Sequence, residues 1–562
     1  MKKEDKITLT YNLFELPTAQ HKAGLAGLLV LIESMQRRKM SPLPKVEEMT
    51  SSSVIISFTR ESMQVLFDDL YDAEFVEVKS KSKWKDKKPK RIEEEEIIEN
   101  GKKKKVKYFI YDEFQAKGSF FTTFYPAGCE NWLTLWRQML RNVLRAQPKT
   151  RGVYIERAKG NPSPEASKVW GSLNKAMKAK KQKEESFAGS VFIGAQEKNA
   201  ELVPFKGLPQ ENFLLHFWYI VSLVFEVQFV EIKKNQERKI NVHWNDLGYA
   251  IVIPEPSAID VFKEDIIAML SDLPVEQQNY TPASGKVNLF EESALEYLHF
   301  LVINKSCKMG GFFDSISGLE VYHMQKQNKK VRMLGASRII PDRRVFEEYE
   351  RMRQSNMNPI FKRFYLQNIL AQNPWYSGSE KYINKFPAEI FIWKNGKTPE
   401  QSNFNFFGIN CNKIFKQIIE YLKIKEVKEV HEESKEMFLA KIIYRMVRHY
   451  ILLKALNKSG LSTITDKKDQ TIYPFEQKEY RDAIEKVSMD AFLAMRGRKE
   501  EDFVEYFTGT ICAVPQFLPQ KEYLLLSDAL VQGGWEKVKS LSLLAISAAS
   551  YLAKNNQHKE ED

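Results

Sequence analysis

Residues 437–456 read Met437-Phe-Leu-Ala-Lys-Ile-Ile-Tyr-Arg-Met-Val-Arg-His-Tyr-Ile-Leu-Leu-Lys-Ala-Leu456, an unbroken helical spacing of apolar side chains with neither Gly nor Pro. A period near 3.6 sustained over that length predicts an amphipathic helix rather than a strand. The same spacing returns in Glu476–Met495, Glu500–Val514, Lys521–Val531 and Trp535–Ala553. Pro474, the Pro515/Pro519 pair and Gly533-Gly534 separate these segments. Helices joined by such short connections pack antiparallel, so residues 437–562 are expected to form an all-α bundle. This tail carries 18 Lys/Arg against 17 Asp/Glu, whereas residues 1–436 carry 67 against 56. Nearly all of the net charge of +12 therefore lies upstream of the tail. That excess says nothing about fold, but it biases partners toward polyanions.

Upstream the pattern is mixed. Thr8–Leu16 alternates like a strand and Pro17 closes it; Thr18 then caps a predicted helix from Ala19 to about Arg38. Gly24 and Gly27 weaken that helix relative to Ala, which implies another backbone in close approach. A strand is expected over Ser51–Thr59, a helix over Arg60–Tyr71, and a strand pair over 240–253 turning at Asn245-Asp246. Ala258–Leu270 and Glu291–Val302 read as helices. The expected fold class is α+β: a large mixed body of short sheets and helices over 1–436, with room for a subdivision near 200–260, followed by the all-α bundle at 437–562. The apolar run Phe213–Val230 is interrupted by His216 and Glu226 and is rich in aromatic and β-branched residues, so a buried helix or strand pair is preferred to a membrane span. Cys129, Cys307, Cys411 and Cys512 lie far apart with no Cys-x-x-Cys pair, and Met1–Ile7 has no apolar signal core; a reducing cytoplasm is the expected location.

Motifs for catalysis fail one by one. Gly396-Lys397-Thr398 ends like a phosphate-binding loop, but Phe391 stands where the first glycine is needed. His431-Glu432-Glu433 begins like a zinc-protease helix, yet Lys435 occupies the second histidine position. His216, beside Phe217-Trp218, reads as a hydrogen-bonded core histidine, and His21 as a locally bonded one. No catalytic residue, metal ligand or cofactor is assigned.

The polyanion signal is broader. Arg137, Arg141 and Arg145 recur every four residues in a predicted helix Glu130–Ala146, which would place three guanidinium groups on one stripe. Lys149, Arg151 and Arg157 extend it, and Arg332, Arg338, Arg343 and Arg344 form a second basic region. The lysine- and glutamate-rich stretch 79–107, with Asn100-Gly101 at its centre, predicts a charged, mobile hairpin; its charges either pair with each other or touch a phosphate backbone. Two loops combine amides, cations and glycine as a groove-reading element would. One holds Asn304, Lys305, Lys308, Gly310, Gly311 and Phe312; the other holds Asn410, Asn412 and Lys413, beside Gly408.

Four stretches together carry a family likeness: Leu16-Pro-Thr-Ala-Gln-His-Lys-Ala-Gly-Leu-Ala-Gly-Leu-Leu29, the Trp132–Trp136 helix, Asn212-Phe-Leu-Leu-His-Phe-Trp218 and Gly248-Tyr-Ala-Ile-Val-Ile-Pro-Glu255. The chain resembles the large subunit of a type I CRISPR Cascade effector, of the Myxococcus-subtype or I-B-like branch, chiefly over residues 8–260. The resemblance implies a non-nuclease subunit that inspects the protospacer-adjacent motif in target double-stranded DNA and helps open the duplex. It also implies contact with the 5′ handle of the guide crRNA, backbone and handle-binding Cascade subunits as partners, and recruitment of a separate helicase-nuclease. In some relatives an internal start yields small subunits from the same message, and Met437 is the candidate here. Two other readings stand beside this one: an adaptor whose basic surface meets an acidic partner, and a metal-dependent nucleic-acid enzyme assembled from distant acids.

Overall fold

The computed structural model describes residues 6–84, 87–99, 102–179, 183–194, 205–234, 240–274, 285–303, 313–328, 330–353, 357–394, 407–424, 432–465, 471–514 and 518–551. The fold is α+β, and the chain divides into two compact units. The first comprises Met1–Phe229 and Asn245–Phe346; the second comprises Val230–Trp244 and Glu347–Asp562.

In the first unit, strands β1 (Lys6–Asn12), β2 (Lys45–Met49) and β3 (Ser53–Thr59) make an antiparallel sheet in the order β1-β3-β2. Ile7, Leu9 and Tyr11 alternate into the core, as a half-buried strand requires. Helix α1 (Ala19–Arg37) starts at Thr18, whose side chain accepts from the His21 amide. It is buried almost along its length because it runs against the segment after Pro209. A Cβ on Gly24 would stand 2.2 Å from the Leu214 carbonyl oxygen, and one on Gly27 would stand 2.1 Å from that of Phe217. The two glycines are thus the contact surface for a second backbone, as the sequence implies. Helix α2 (Arg60–Leu70) opens with a capping box between Thr59 and Ser62.

Strands β4 (Ala73–Ser80), β5 (Arg91–Glu99) and β6 (Lys102–Ala116) form a second sheet in the order β4-β6-β5. Its cross-strand charges answer each other. Lys79 Nζ lies 2.5 Å from Glu95 and 3.4 Å from Glu93, and Arg91 grips both oxygens of Glu77 at 2.5 Å. Arg91, with Lys90 behind it, holds the Glu77 carboxyl down at about 2. The Asn100-Gly101 turn lies outside the described residues.

After the two-residue pair β7 (Glu185–Ser186) and β8 (Lys206–Gly207) comes a larger sheet. Its strands are β9 (Leu223–Lys234), β10 (Ile240–Pro256), β11 (Lys286–Val287), β12 (Ile316–Gln327) and β13 (Lys330–Ile339), in the order β11-β9-β10-β12-β13. The expected strand pair within 240–253 is corrected: β10 runs straight through Asn245-Asp246, and its neighbours are β9 and β12. Within β10, Gly248 has a φ of 94° and lies so close to the Met324 carbonyl that only glycine suits the position, while the register shift against β12 falls at Glu255/Pro256. Residues 213–230 are neither one helix nor a strand pair but a helix end, a 3-10 turn at Trp218–Ile220 and then β9.

The second unit contains the tail helices Glu432–Ser459, Lys478–Arg496, Gln520–Val531 and Trp535–Ala549. Their core is shared with residues ahead of 437: Phe361, Phe391, Phe407 and Phe415 are fully buried with Ile443, Val447, Phe492 and Leu544. Phe415 stacks on Tyr444 with ring centres 4.6 Å apart, and Phe391 on Phe492 at 5.5 Å. The expected division at 436/437 is therefore displaced to Phe346/Glu347. Sequence spacing finds helices but does not show which aromatic loop residues complete their core.

Candidate nucleic-acid interface

The first unit gathers cations around a single nearly buried carboxylate. Glu113 sits on β6 between Asp112 and the core residue Phe114. Lys87 Nζ lies 3.3 Å from its Oε1, while Arg141 and Arg151 lie 3.3 and 4.0 Å from its Oε2. Lys326, near the end of β12, belongs to the same neighbourhood. Burial first, and then the like charges of Arg151 and Arg141, lower its pKa. Arg151 is lowered as well, chiefly by burial, with Arg141 adding to the effect and Glu113 opposing it. Three cations thus approach one carboxylate and Lys326 adds a fourth positive charge close to Arg151 and Arg141, a local excess that would favour a polyanion.

The sequence-predicted arginine stripe does not form. The helix Glu130–Met139 gives way to a π-turn over Leu140–Leu144, which changes the angular spacing of the residues that follow. Arg137 spends its donors on the carbonyls of Ala116 and Lys117 at 2.7 and 2.8 Å. Arg145 is only 4% exposed, enclosed by the rings of Tyr71 and Tyr154. Arg141 alone of the three joins the Glu113 cluster. Among the extending residues, Lys149 is exposed, and Arg151 also donates to the Arg145 and Ala146 carbonyls. Arg157 lies 3.6 Å from Asp68.

In the second basic region, Arg332 is exposed on β13, opposite Gln325. Arg338 pairs with Glu255, which also takes Lys22 at 2.8 Å; Arg343 and Arg344 are exposed at the start of the helix Arg343–Arg353. Asn304, Lys305, Lys308, Gly310, Gly311 and Phe312 lie outside the described residues. The other loop expectation is corrected: Asn410 and Asn412 are buried in the helix Gly408–Ile424. Asn410 Oδ1 accepts from the Asn358 amide at 3.1 Å, and Asn412 donates to Tyr444 and to the Ala548 carbonyl. Those amides tie the second core together and cannot reach a base edge there; Lys413 is exposed. Sequence reasoning missed Lys87, Glu113 and Lys326. They are distant along the chain, and only the pairing of β6 with its neighbours and the approach of β12 assemble them.

Both singled-out histidines are hydrogen-bonded and buried. His21 Nδ1 lies 2.8 Å from Thr18 Oγ1, and His216 Nδ1 lies 2.6 Å from the Tyr71 hydroxyl. Burial lowers each pKa to about 4. The folded state therefore binds fewer protons than the unfolded chain below pH 6.5. Stability should be fully present above that pH and fall by about 1.4 kcal/mol per pH unit for each ring down to about pH 4. Urea unfolding of His216→Gln and wild type across this range checks it: the variant should lose part of the slope. Equal slopes would remove His216 as a contributor.

Among the described residues no helix is long and apolar enough to cross a membrane, and no group of three or more His, Cys, Asp or Glu is placed to hold a metal ion. No curated protein matches the chain. Two family models do: the type I-B CRISPR Cas8b N-terminal domain over residues 43–311 and the type I-B CRISPR Cas8b C-terminal domain over 316–549. The branch matched is I-B. With its N-terminal and C-terminal models covering most of its length in order, the chain belongs to the type I-B CRISPR Cas8b family, as a large subunit of a type I-B system.

Proposed function

We propose that this chain is the non-catalytic large subunit of a type I-B Cascade, which inspects the protospacer-adjacent motif in duplex DNA and helps open the duplex. In this reading it also contacts the 5′ handle of the guide crRNA and recruits the separate helicase-nuclease. The observation that carries its polyanion-binding part is the cation excess around Glu113. Glu113 can neutralise only one of Lys87, Arg141 and Arg151, Lys326 adds to the positive charge beside them, and phosphate oxygens are the natural partners for the excess. Arg332 and Lys149 are exposed cations that would extend the path. Guide pairing would read the sequence, leaving the protein to hold the short motif and the backbone.

The test is target-duplex binding by the assembled complex over a series of salt concentrations. Arg141→Ala with Lys326→Ala should weaken binding about tenfold or more at low salt. It should also flatten the salt dependence by about one unit of slope for each phosphate left without its cation. An unchanged slope with intact assembly would remove this cluster from the interface. We also propose Met437 as the start of a free small subunit made from the same message.

A further inference from the structure

Arg145 presents an electrostatic problem that the Glu113 cluster does not solve. Its side chain is 4% exposed, yet no carboxylate lies within ion-pairing distance among the described residues. Its guanidinium donates to the Thr150 carbonyl at 3.1 Å and to the Tyr71 hydroxyl at 3.4 Å, and its Nε has no partner. Tyr71 in turn bonds the neutral His216 ring, so the chain of hydrogen bonds ends without a negative charge. A buried cation without an anion is strongly disfavoured unless something compensates it.

The Arg145 residue also lines a cavity of about 400 Å³ in the first unit, a size typical of small-molecule sites. Asn212 is also on the lining, and its Oδ1 is the second buried polar atom there without a partner; its Nδ2 is held by the Glu185 and Gly207 carbonyls. The rings of Phe187 and Phe213 supply an aromatic wall, and Ser190 a hydroxyl. The two rim carboxylates are already engaged, Glu165 by Lys168 at 2.7 Å and Glu185 by the Ser172 hydroxyl at 2.5 Å. A cationic floor, a free amide acceptor and an aromatic wall are the three elements that recognise phosphate, base edge and base face.

We infer that this cavity binds one nucleoside monophosphate unit, with its phosphate toward Arg145, its base against Phe187 and a base N–H donated to Asn212 Oδ1. Such binding does not require the chain to act in an effector complex. Loss of duplex binding by the assembled complex and loss of this pocket are therefore separately visible.

The experiment is calorimetric titration of the full-length chain with AMP, GMP, CMP, UMP, the parent nucleosides and inorganic phosphate. At least one monophosphate should bind tenfold or more tightly than both its nucleoside and phosphate. Arg145→Gln should weaken that binding about 10- to 100-fold. Because Arg145 also supports the core, Ser190→Trp supplies the decisive variant. It fills the cavity while leaving Arg145 in place, and should abolish binding with the thermal transition unchanged. A 5′-phosphorylated trinucleotide that binds as tightly as the monophosphate identifies a strand as the source, whereas its exclusion identifies a free nucleotide. Absence of monophosphate binding at millimolar concentration, phosphate binding equal to the nucleotide, or undiminished binding by Ser190→Trp would each overturn the assignment.

Discussion

Gly27→Ala is expected to destabilise the first unit by about 3 kcal/mol, and Gly24→Ala by a similar amount. The added methyl group would meet the Phe217 carbonyl oxygen at 2.1 Å, or that of Leu214 at 2.2 Å. The obstacle in each case is backbone, which cannot rotate aside as a side-chain tip does. Helix α1 would have to lift from the 209–220 segment, loosening Leu25, Leu28 and Leu29 in the core. Helix propensity alone predicts the opposite sign, since Ala is favoured over Gly by about 1 kcal/mol in a helix interior. Gly171, in the helix Pro164–Lys178, is the internal control, because a Cβ there meets nothing within 4 Å. Gly171→Ala should therefore hold or raise the unfolding midpoint while Gly27→Ala lowers it. If both substitutions behaved alike, the close approach of the two backbones would be refuted.

That contrast shows which features are legible in a sequence. Glycines at positions 24 and 27 of an otherwise strong helix conflict with local propensity, and such conflicts point to tertiary contact. The Thr18 cap and the tail helices are equally legible because capping and 3.6-residue periodicity are local. Arg145 was not legible. Four-residue spacing places it beside Arg137 and Arg141 on an ideal α-helix, but the π-turn at Leu140–Leu144 interrupts that geometry. Asn410 and Asn412 have another cause: Asn next to Gly suits a loop, yet the Asn410 carbonyl oxygen accepts from the Asn358 amide and the Asn412 amide donates to Tyr444 and Ala548, all groups distant in the chain. Glu113 had no local signal at all, since its partners arrive from elsewhere in the first unit.

A chain begun at Met437 is expected to be expanded and to lack a cooperative unfolding transition when alone. Met437 lies inside the helix Glu432–Ser459, not ahead of it, and is half-buried against the second core. Starting there removes Phe361, Phe391, Phe407 and Phe415, each wholly or almost wholly buried. Loss of a buried Phe side chain destabilises by about 3–5 kcal/mol, so four together match or exceed the ~5–15 kcal/mol that holds a typical domain folded. Polar ties go as well. Ser547 loses the Phe391 carbonyl at 2.6 Å, and Lys537 loses Glu436 at 2.6 Å. Lys539, 1% exposed, loses Glu380 at 2.5 Å and keeps only the Arg498 carbonyl and the Trp535 ring. A buried ammonium stripped of its carboxylate costs a further ~3–5 kcal/mol. A free product from this start would therefore need a partner surface to replace residues 360–424. Met437→Leu in the full chain is close to volume-conserving and should alter stability by less than about 1.5 kcal/mol. Disappearance of a short co-purifying product in that variant would then report the start codon and not misfolding. Near-UV dichroism and urea unfolding of residues 437–562 provide the direct check: a sharp transition with native-like aromatic signals would mean that the helices hold their own core and that the phenylalanines upstream only cover it.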